Sequence, residues 1–271
     1  MNNFFLDFLL YLGNLLILTL GVFVICGFAV RFCSRAFSML LGGGSATVFD
    51  VTSVIGTPIH EIGHAVMCPL FGHKITAIKL WAPRAENGVY GYVEHAYNRK
   101  NPWAMLGNLF IGLGPLFSGL GIVVLMLLLC FPAQWSNYLE TSKAVVSADG
   151  IAASGLFKAI FSLFLSMFDA FRANWLRSLV GLIVILAVCL HISLSLADIK
   201  GSLSALPIYL AMLALFALAT QIAGLSAPIL AELRLLNLRV LSIFCIVIAF
   251  AAVWVLIALI VRLIRKIIHA F

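Results

Sequence analysis

Residues 57–71 read TPIHEIGHAVMCPLF. Three of them, His60, Glu61 and His64, are of types that bind metals and move protons. The histidines are four residues apart, so on a helix they share one face, roughly 40° apart and one turn separated. That spacing lets two imidazoles hold one tetrahedral zinc ion while the helix stays regular. Glu61 projects from an adjacent direction, too far round to be an equal ligand and well placed to take a proton from an attacking water. HExxH on a helix is therefore a zinc-hydrolase pattern with the glutamate as general base. The bland alternative is a pair of core histidines bonded to neighbouring helices. The apolar setting weighs against it, since an ionisable side chain costs roughly 2.5–3.5 kcal/mol at the centre of a bilayer.

Such a centre needs a third protein ligand and an open position. The extended pattern HExxHxxGxxH is absent, because Met67 and Leu70 stand where Gly and His are needed. Only ten acidic residues exist in the chain. Asp198, in HISLSLADIKG, ends an apolar run, and Asp7, Asp50 and Asp169 also border such runs. Depth along the chain's crossings favours Asp198. Its structural alternative is a helix-end residue paired with Lys200. His191, seven residues earlier, reads as a neighbour of the site or as a helix–helix hydrogen bond.

The elements that must position these residues are those of a membrane protein. Of 271 residues, 63% are hydrophobic and 10% charged, against about 25% charged in soluble domains. The formal charge of +7 is scattered through the gaps between apolar runs, which excludes a clustered nucleic-acid surface. The six cysteines form no CxxC pair, so neither a disulfide framework nor a thiolate site is indicated. The N-terminus lacks a basic leader region and reads as a retained helix. Segments 5–30, 47–71, 104–130, 175–197, 205–226 and 240–262 are apolar and near the length of about 20 residues that a crossing needs. Residues 152–171 carry Lys158 and Asp169, and the expectation is an interfacial or re-entrant segment. The arms ITAIKLWAP and GVYGYVEHAY, with a turn at Glu86-Asn87-Gly88, predict a β-hairpin beside the membrane.

In this setting the chain resembles the site-2 protease family of intramembrane zinc metalloproteases. TPIHEIGHAV lies within a membrane span, LFGHKITAIKLWAP is similar to the family's glycine-then-strand continuation, and GLGPLFSG is similar to its Gly-Pro stretch through Gly114 and Pro115. The likeness covers residues 46–130 and, more loosely, 185–203. The family's ligand aspartate usually stands in a Leu-Asp-Gly context, and here Asp198 stands in ADIKG. Where the family often has asparagine three residues after the proline, this chain has Ser118. Asn108, seven residues before Pro115, shares its helical face and could substitute in contacting substrate. Helix–helix bonding is its structural alternative.

The combined reading is an all-α polytopic membrane protein, a single domain over 1–271 with its core at 46–203. Flanking helices lie at 5–30, 205–226 and 240–262, about six spans in all, with one small membrane-associated β-hairpin. The resemblance implies a zinc-dependent endopeptidase that cleaves the membrane segment of another protein, with one Zn²⁺ held by His60, His64 and Asp198. Glu61 would be the base, and Asn108 and Ser118 would contact substrate. The expected partners are a membrane protein substrate and lipid, without nucleic acid. The expected location is a bacterial inner membrane. Lys and Arg are spread too evenly to orient the chain, and the resemblance places the hairpin side and both termini in the cytoplasm. Two other classes remain open: a membrane zinc hydrolase acting on a lipid or small molecule, and a non-catalytic transporter or scaffold that binds metal.

Overall fold

The computed structural model of the chain describes residues 3–82, 89–147, 150–151 and 153–268. Helices α1 (Phe4–Leu16) and α2 (Val22–Leu41) join through a π turn at Ile17–Gly21 into one rod of 38 residues. Then follow α3 (Gly44–Leu70), β1 (Lys74–Lys79), β2 (Tyr92–Ala96) and α4 (Pro102–Cys130). The chain continues through α5 (Pro132–Val145), a short β3–β4 ribbon (Val146–Ser147, Gly150–Ile151), α6 (Ala153–Ala173) and α7 (Trp175–His191). It ends with α8 (Leu196–Ile222) and α9 (Ser226–Ile268). Among the described residues, four helical stretches are long and apolar enough to cross a membrane: Phe4–Leu41, Pro102–Cys130, Leu196–Ile222 and Ser226–Ile268. The chain is thus built as a membrane-embedded one. α3 is not among the four, because Ser53, Thr57, His60, Glu61 and His64 dilute its apolar run.

Contacts fix the helix directions. Trp103 Nε1 donates to Leu70 O at 3.1 Å, so α3 and α4 run antiparallel. Arg177, at the start of α7, donates through Nε to Leu129 O at 2.6 Å, near the end of α4. Residues 131–174 therefore leave and return at one end of the bundle. Gln134 Nε2 donates to Ser166 O at 3.3 Å, and the Phe164 and Phe250 rings pack at 4.5 Å. The α5–α6 hairpin thus leaves the bundle and folds back on it at the same end.

The six-span division changes at α7 and α8. The segments at 175–197 and 205–226 were expected to cross in opposite directions. Instead α7 stops at His191, residues 192–195 are non-helical, and α8 continues in the same sense. Ser202 Oγ lies 3.4 Å from Leu109 O on α4, and Tyr11 pairs with Thr220 at 3.0 Å near the far end. α7 alone is about 26 Å long, short of a 30 Å hydrocarbon core, and α8 extends it in the same direction. α9 then runs parallel to the α1–α2 rod, with Phe23 against Phe244, Phe37 against Trp254 and Arg265 bonded to Leu41 O. Phe4 and Arg265 consequently lie at opposite ends of the bundle, not at the same end as expected for the termini. The polar run DIKGSLS at 198–204 separates the two segments in the sequence but forms the first turns of α8, which is why one continuous direction reads as two spans.

Two joints hold the bundle in register. The π turn frees backbone groups, and the released Leu18 carbonyl accepts a hydrogen bond from Asn237 Nδ2 on α9. At the α3–α4 crossing, a Cβ on Gly63 would lie 2.5 Å from the carbonyl of Gly114, and one on Gly114 would lie 2.5 Å from the carbonyl of Gly63. Backbone packs on backbone there, which only glycine permits.

The hairpin pairs β1 with β2 antiparallel, Ile78 opposite Val93, with a bulge between Ile75 and Ala77. The expected turn at Glu86-Asn87-Gly88 lies outside the described residues. The hairpin does not sit only at one face of the bundle. Trp81 Nε1 donates to Ser53 Oγ at 3.0 Å and Tyr90 Oη donates to Asp50 Oδ1 at 2.6 Å, so it runs back along α3 past His60 and His64.

Candidate metal centre

His60 and His64 present their rings from one face of α3, as the four-residue spacing requires. His60 Nδ1 lies 2.7 Å from the carbonyl of His191, and His64 Nδ1 lies 2.7 Å from the carbonyl of Ile111. A carbonyl only accepts, so each Nδ1 carries the hydrogen and each Nε2 of the neutral ring is bare. The two Nε2 atoms are 3.2 Å apart. Two lone pairs at that distance repel unless a cation lies between them.

Asp198 supplies the matching charge from α8. It occupies the first turn of that helix, not the end of the preceding span as expected. Its backbone N–H donates to Ser195 Oγ at 3.0 Å, and its Oδ2 accepts from Ser195 N at 2.7 Å, a reciprocal capping box. The cap fixes the carboxylate, which also faces the histidines: Oδ1 is 3.3 Å from His64 Nε2 and Oδ2 is 3.8 Å from His60 Nε2. Lys200, the alternative partner, is exposed on α8. Donors around a tetrahedral zinc at bond lengths near 2.0–2.1 Å stand about 3.3 Å from one another. The separations of 3.2 Å between the two Nε2 atoms and 3.3 Å from His64 Nε2 to Asp198 Oδ1 fit that figure, and one ligand atom from each residue lies within 4.8 Å of the others. Both histidines also donate Nδ1–H to a carbonyl, the usual support of a metal-binding imidazole. The residues fit a zinc ion.

The joint between α7 and α8 depends on donors from other helices. The end of a helix leaves carbonyls without intrahelical partners. Here Ser34 Oγ donates to Leu190 O at 3.3 Å, His60 takes the His191 carbonyl, and Arg31 Nη1 donates to Leu194 O. Arg31 and Ser34 both belong to α2, so a distant helix holds open the break from which Asp198 starts. Arg31→Met should lower zinc affinity by about tenfold, the lower end for losing an outer partner of a metal site. Arg31→Lys should recover part of that loss. Competition against a zinc chelator in detergent measures both, and unchanged affinity in Arg31→Met would remove Arg31 from the site.

A cavity of about 620 Å³ adjoins the three donors. Glu61 lines it and is only 6% exposed. A Cβ at Gly91 would lie 2.9 Å from Glu61 Cγ and 2.8 Å from Lys79 O, so the strand passes over Glu61 at a distance that leaves no room for a side chain. Residues Val89 to Val93 form one wall, and among the described residues β2 is paired on one edge only. Asn108 lines the cavity as well. Ser118 does not: its hydroxyl donates to Pro115 O at 3.2 Å and faces the Gly63 crossing. The expectation that Ser118 contacts substrate is therefore corrected. It sits one turn beyond the glycine contact and is consumed by helix packing.

His191 belongs to α7 and not to the helix of Asp198. Its carbonyl serves His60, and its ring Nε2 meets Thr52 Oγ1 at 2.9 Å. Gly63, Gly112, Arg31, His73 and His95 went unassigned in the sequence. Gly112 lets α8 approach, since a Cβ there would lie 2.7 Å from Asp198 O. The run GLGPLFSG carried a signal for Gly112. Nothing local marks the others.

Compared with known proteins, the chain matches no family model, no curated protein and no solved structure.

Proposed function

We propose that the chain is a zinc-dependent endopeptidase that cuts within or beside the membrane segment of another protein. The observation that carries this reading is the pair of bare Nε2 atoms 3.2 Å apart, closed by an Asp198 oxygen, with Glu61 lining the adjoining cavity. His60, His64 and Asp198 would hold the ion. Bound there, zinc would supply Lewis acidity, polarising the scissile carbonyl and easing ionisation of water.

Glu61 takes the proton from the attacking water and passes it to the leaving amine. Its burial under Gly91 keeps bulk water from competing for that proton. A transmembrane helix hides its peptide bonds in internal hydrogen bonds, so the substrate enters locally unwound. The unpaired edge of β2 offers backbone partners to an extended segment, and Val89 to Val93 line the cavity it would enter. That strand is the reason for favouring a peptide over a lipid or small molecule.

In this reading the chain crosses five times: the α1–α2 rod, α3, α4, the interrupted α7–α8 traverse, and α9. The substrate would be a membrane protein, and the product a released fragment. The test uses purified protein with a panel of single-span reporter substrates. Chelation should abolish cleavage, and added zinc should restore it. Cleavage that persists without metal would reject the reading.

A further inference from the structure

His73 and His95 lie outside the metal centre and have no part in the chemistry above. The chain turns at Gly72, whose φ is 71°, and delivers His73 into the angle between the end of α3 and the start of α4. There it is 4% exposed, its ring stacked on Tyr97 at 4.5 Å. His73 Nε2 lies 2.7 Å from Ala104 O on α4, and His73 Nδ1 lies 2.9 Å from His95 Nδ1 on β2.

These two contacts fix a chain of hydrogens. Ala104 O only accepts, so His73 carries its hydrogen on Nε2 and its Nδ1 is bare. The short Nδ1–Nδ1 contact then requires His95 to donate from Nδ1, which leaves His95 Nε2 as an acceptor. Burial, with His73 and then His64 nearby, holds the His95 imidazole below its ordinary pKa, which keeps it neutral at pH 7. His95 lines the same cavity as Glu61, and among the described residues its ring is hydrogen-bonded through Nδ1 alone. Val93 and His95 face the same way along β2, by strand alternation and by their shared partial burial.

We infer that His95 binds substrate by accepting a hydrogen bond from a backbone N–H of the extended peptide, with His73 as the positioning residue that fixes its tautomer. The inference rests on the peptidase reading. A membrane segment that unwinds loses its internal hydrogen bonds and must find a partner for each backbone N–H. A neutral acceptor does this without the desolvation cost of another carboxylate, and it rejects carbonyls. The locked tautomer therefore sets the register in which a peptide can lie along β2.

The probe is a synthetic apolar peptide of about 20 residues with a Gly-Ser pair at its centre, bound to Glu61→Gln protein in micelles. Binding is measured by fluorescence and needs no turnover. His95→Phe added to Glu61→Gln should weaken binding about tenfold, the upper order for one lost hydrogen bond, with zinc content unchanged. His95→Gln, which keeps an acceptor, should recover much of the loss. In a series of peptides each carrying one ester in place of an amide, one position should weaken binding to the Glu61→Gln protein and have no further effect once His95 is Phe. Nitrogen-15 spectra of labelled histidine should show His95 protonated on Nδ1, and His73→Phe should mix its tautomers. Equal binding with and without His95→Phe, absence of any peptide binding, or a hydrogen on His95 Nε2 each overturn the inference. Binding that depends on His95, from a wild-type protein that cleaves nothing, would overturn the peptidase reading instead.

Discussion

Glu61→Gln should keep its zinc and lose cleavage by about 10² to 10⁴-fold, the range for removing a general base. The three candidate donor atoms come from His60, His64 and Asp198, and the hydrogen bonds that support them do not run through Glu61: the histidines bond to His191 O and Ile111 O, and Asp198 to Ser195. Glutamine preserves the shape and the hydrogen-bonding reach of the side chain under Gly91 but cannot accept a proton. His64→Ala makes the contrast, since it removes a donor outright and should lose metal and cleavage together. Metal analysis of the purified variants beside the cleavage assay reads both quantities. If Glu61→Gln loses zinc as fully as His64→Ala, Glu61 holds the fold of the site together and is not its base.

The chemistry of this site was legible where it is local, and illegible where it depends on distant helices. HEIGH states its own geometry, because a four-residue spacing on a helix can only place two rings on one face. Asp198 could be picked from ten acidic residues by following the crossings, yet its helix was misassigned. The interruption at Ile192–Ser195 contains neither Gly nor Pro, and the groups that stabilise it, Arg31 and Ser34, come from about 160 residues earlier. No window of sequence contains both the break and its cause. The direction of α9 was lost for the same reason, since an uncounted break changes the parity of every later crossing. Ser118 and Asn108 show a finer limit. Both lie near Pro115 on α4, but only Asn108 lines the cavity, and which of them does so is decided by where Gly63 touches Gly114. The pairing of His73 with His95 spans 22 residues and exists only because β1 and β2 fold back along α3.

Asp198→Asn should weaken zinc binding by 10²-fold or more on the order-of-magnitude scale set by outer-partner losses of 10 to 100-fold, since here a ligand itself loses its charge. The variant is chosen because Asp198 has two roles. Its Oδ2 accepts from Ser195 N and so starts α8, while Oδ1 faces His64 Nε2. Asparagine can still accept from Ser195 N, so the cap survives and the helix starts where it did. Ser195→Ala does the converse: it removes the acceptor for the Asp198 N–H, at a cost of about 0.5–2 kcal/mol to the helix end, and leaves the carboxylate charged. Chelator competition should therefore rank the proteins as wild type, then Ser195→Ala with a small loss, then Asp198→Asn with a large one. Thermal unfolding in excess chelator should rank Ser195→Ala below Asp198→Asn, because without metal only the cap matters. An Asp198→Asn protein that binds zinc like wild type would confine Asp198 to capping α8, and the third ligand would then have to come from elsewhere in the cavity.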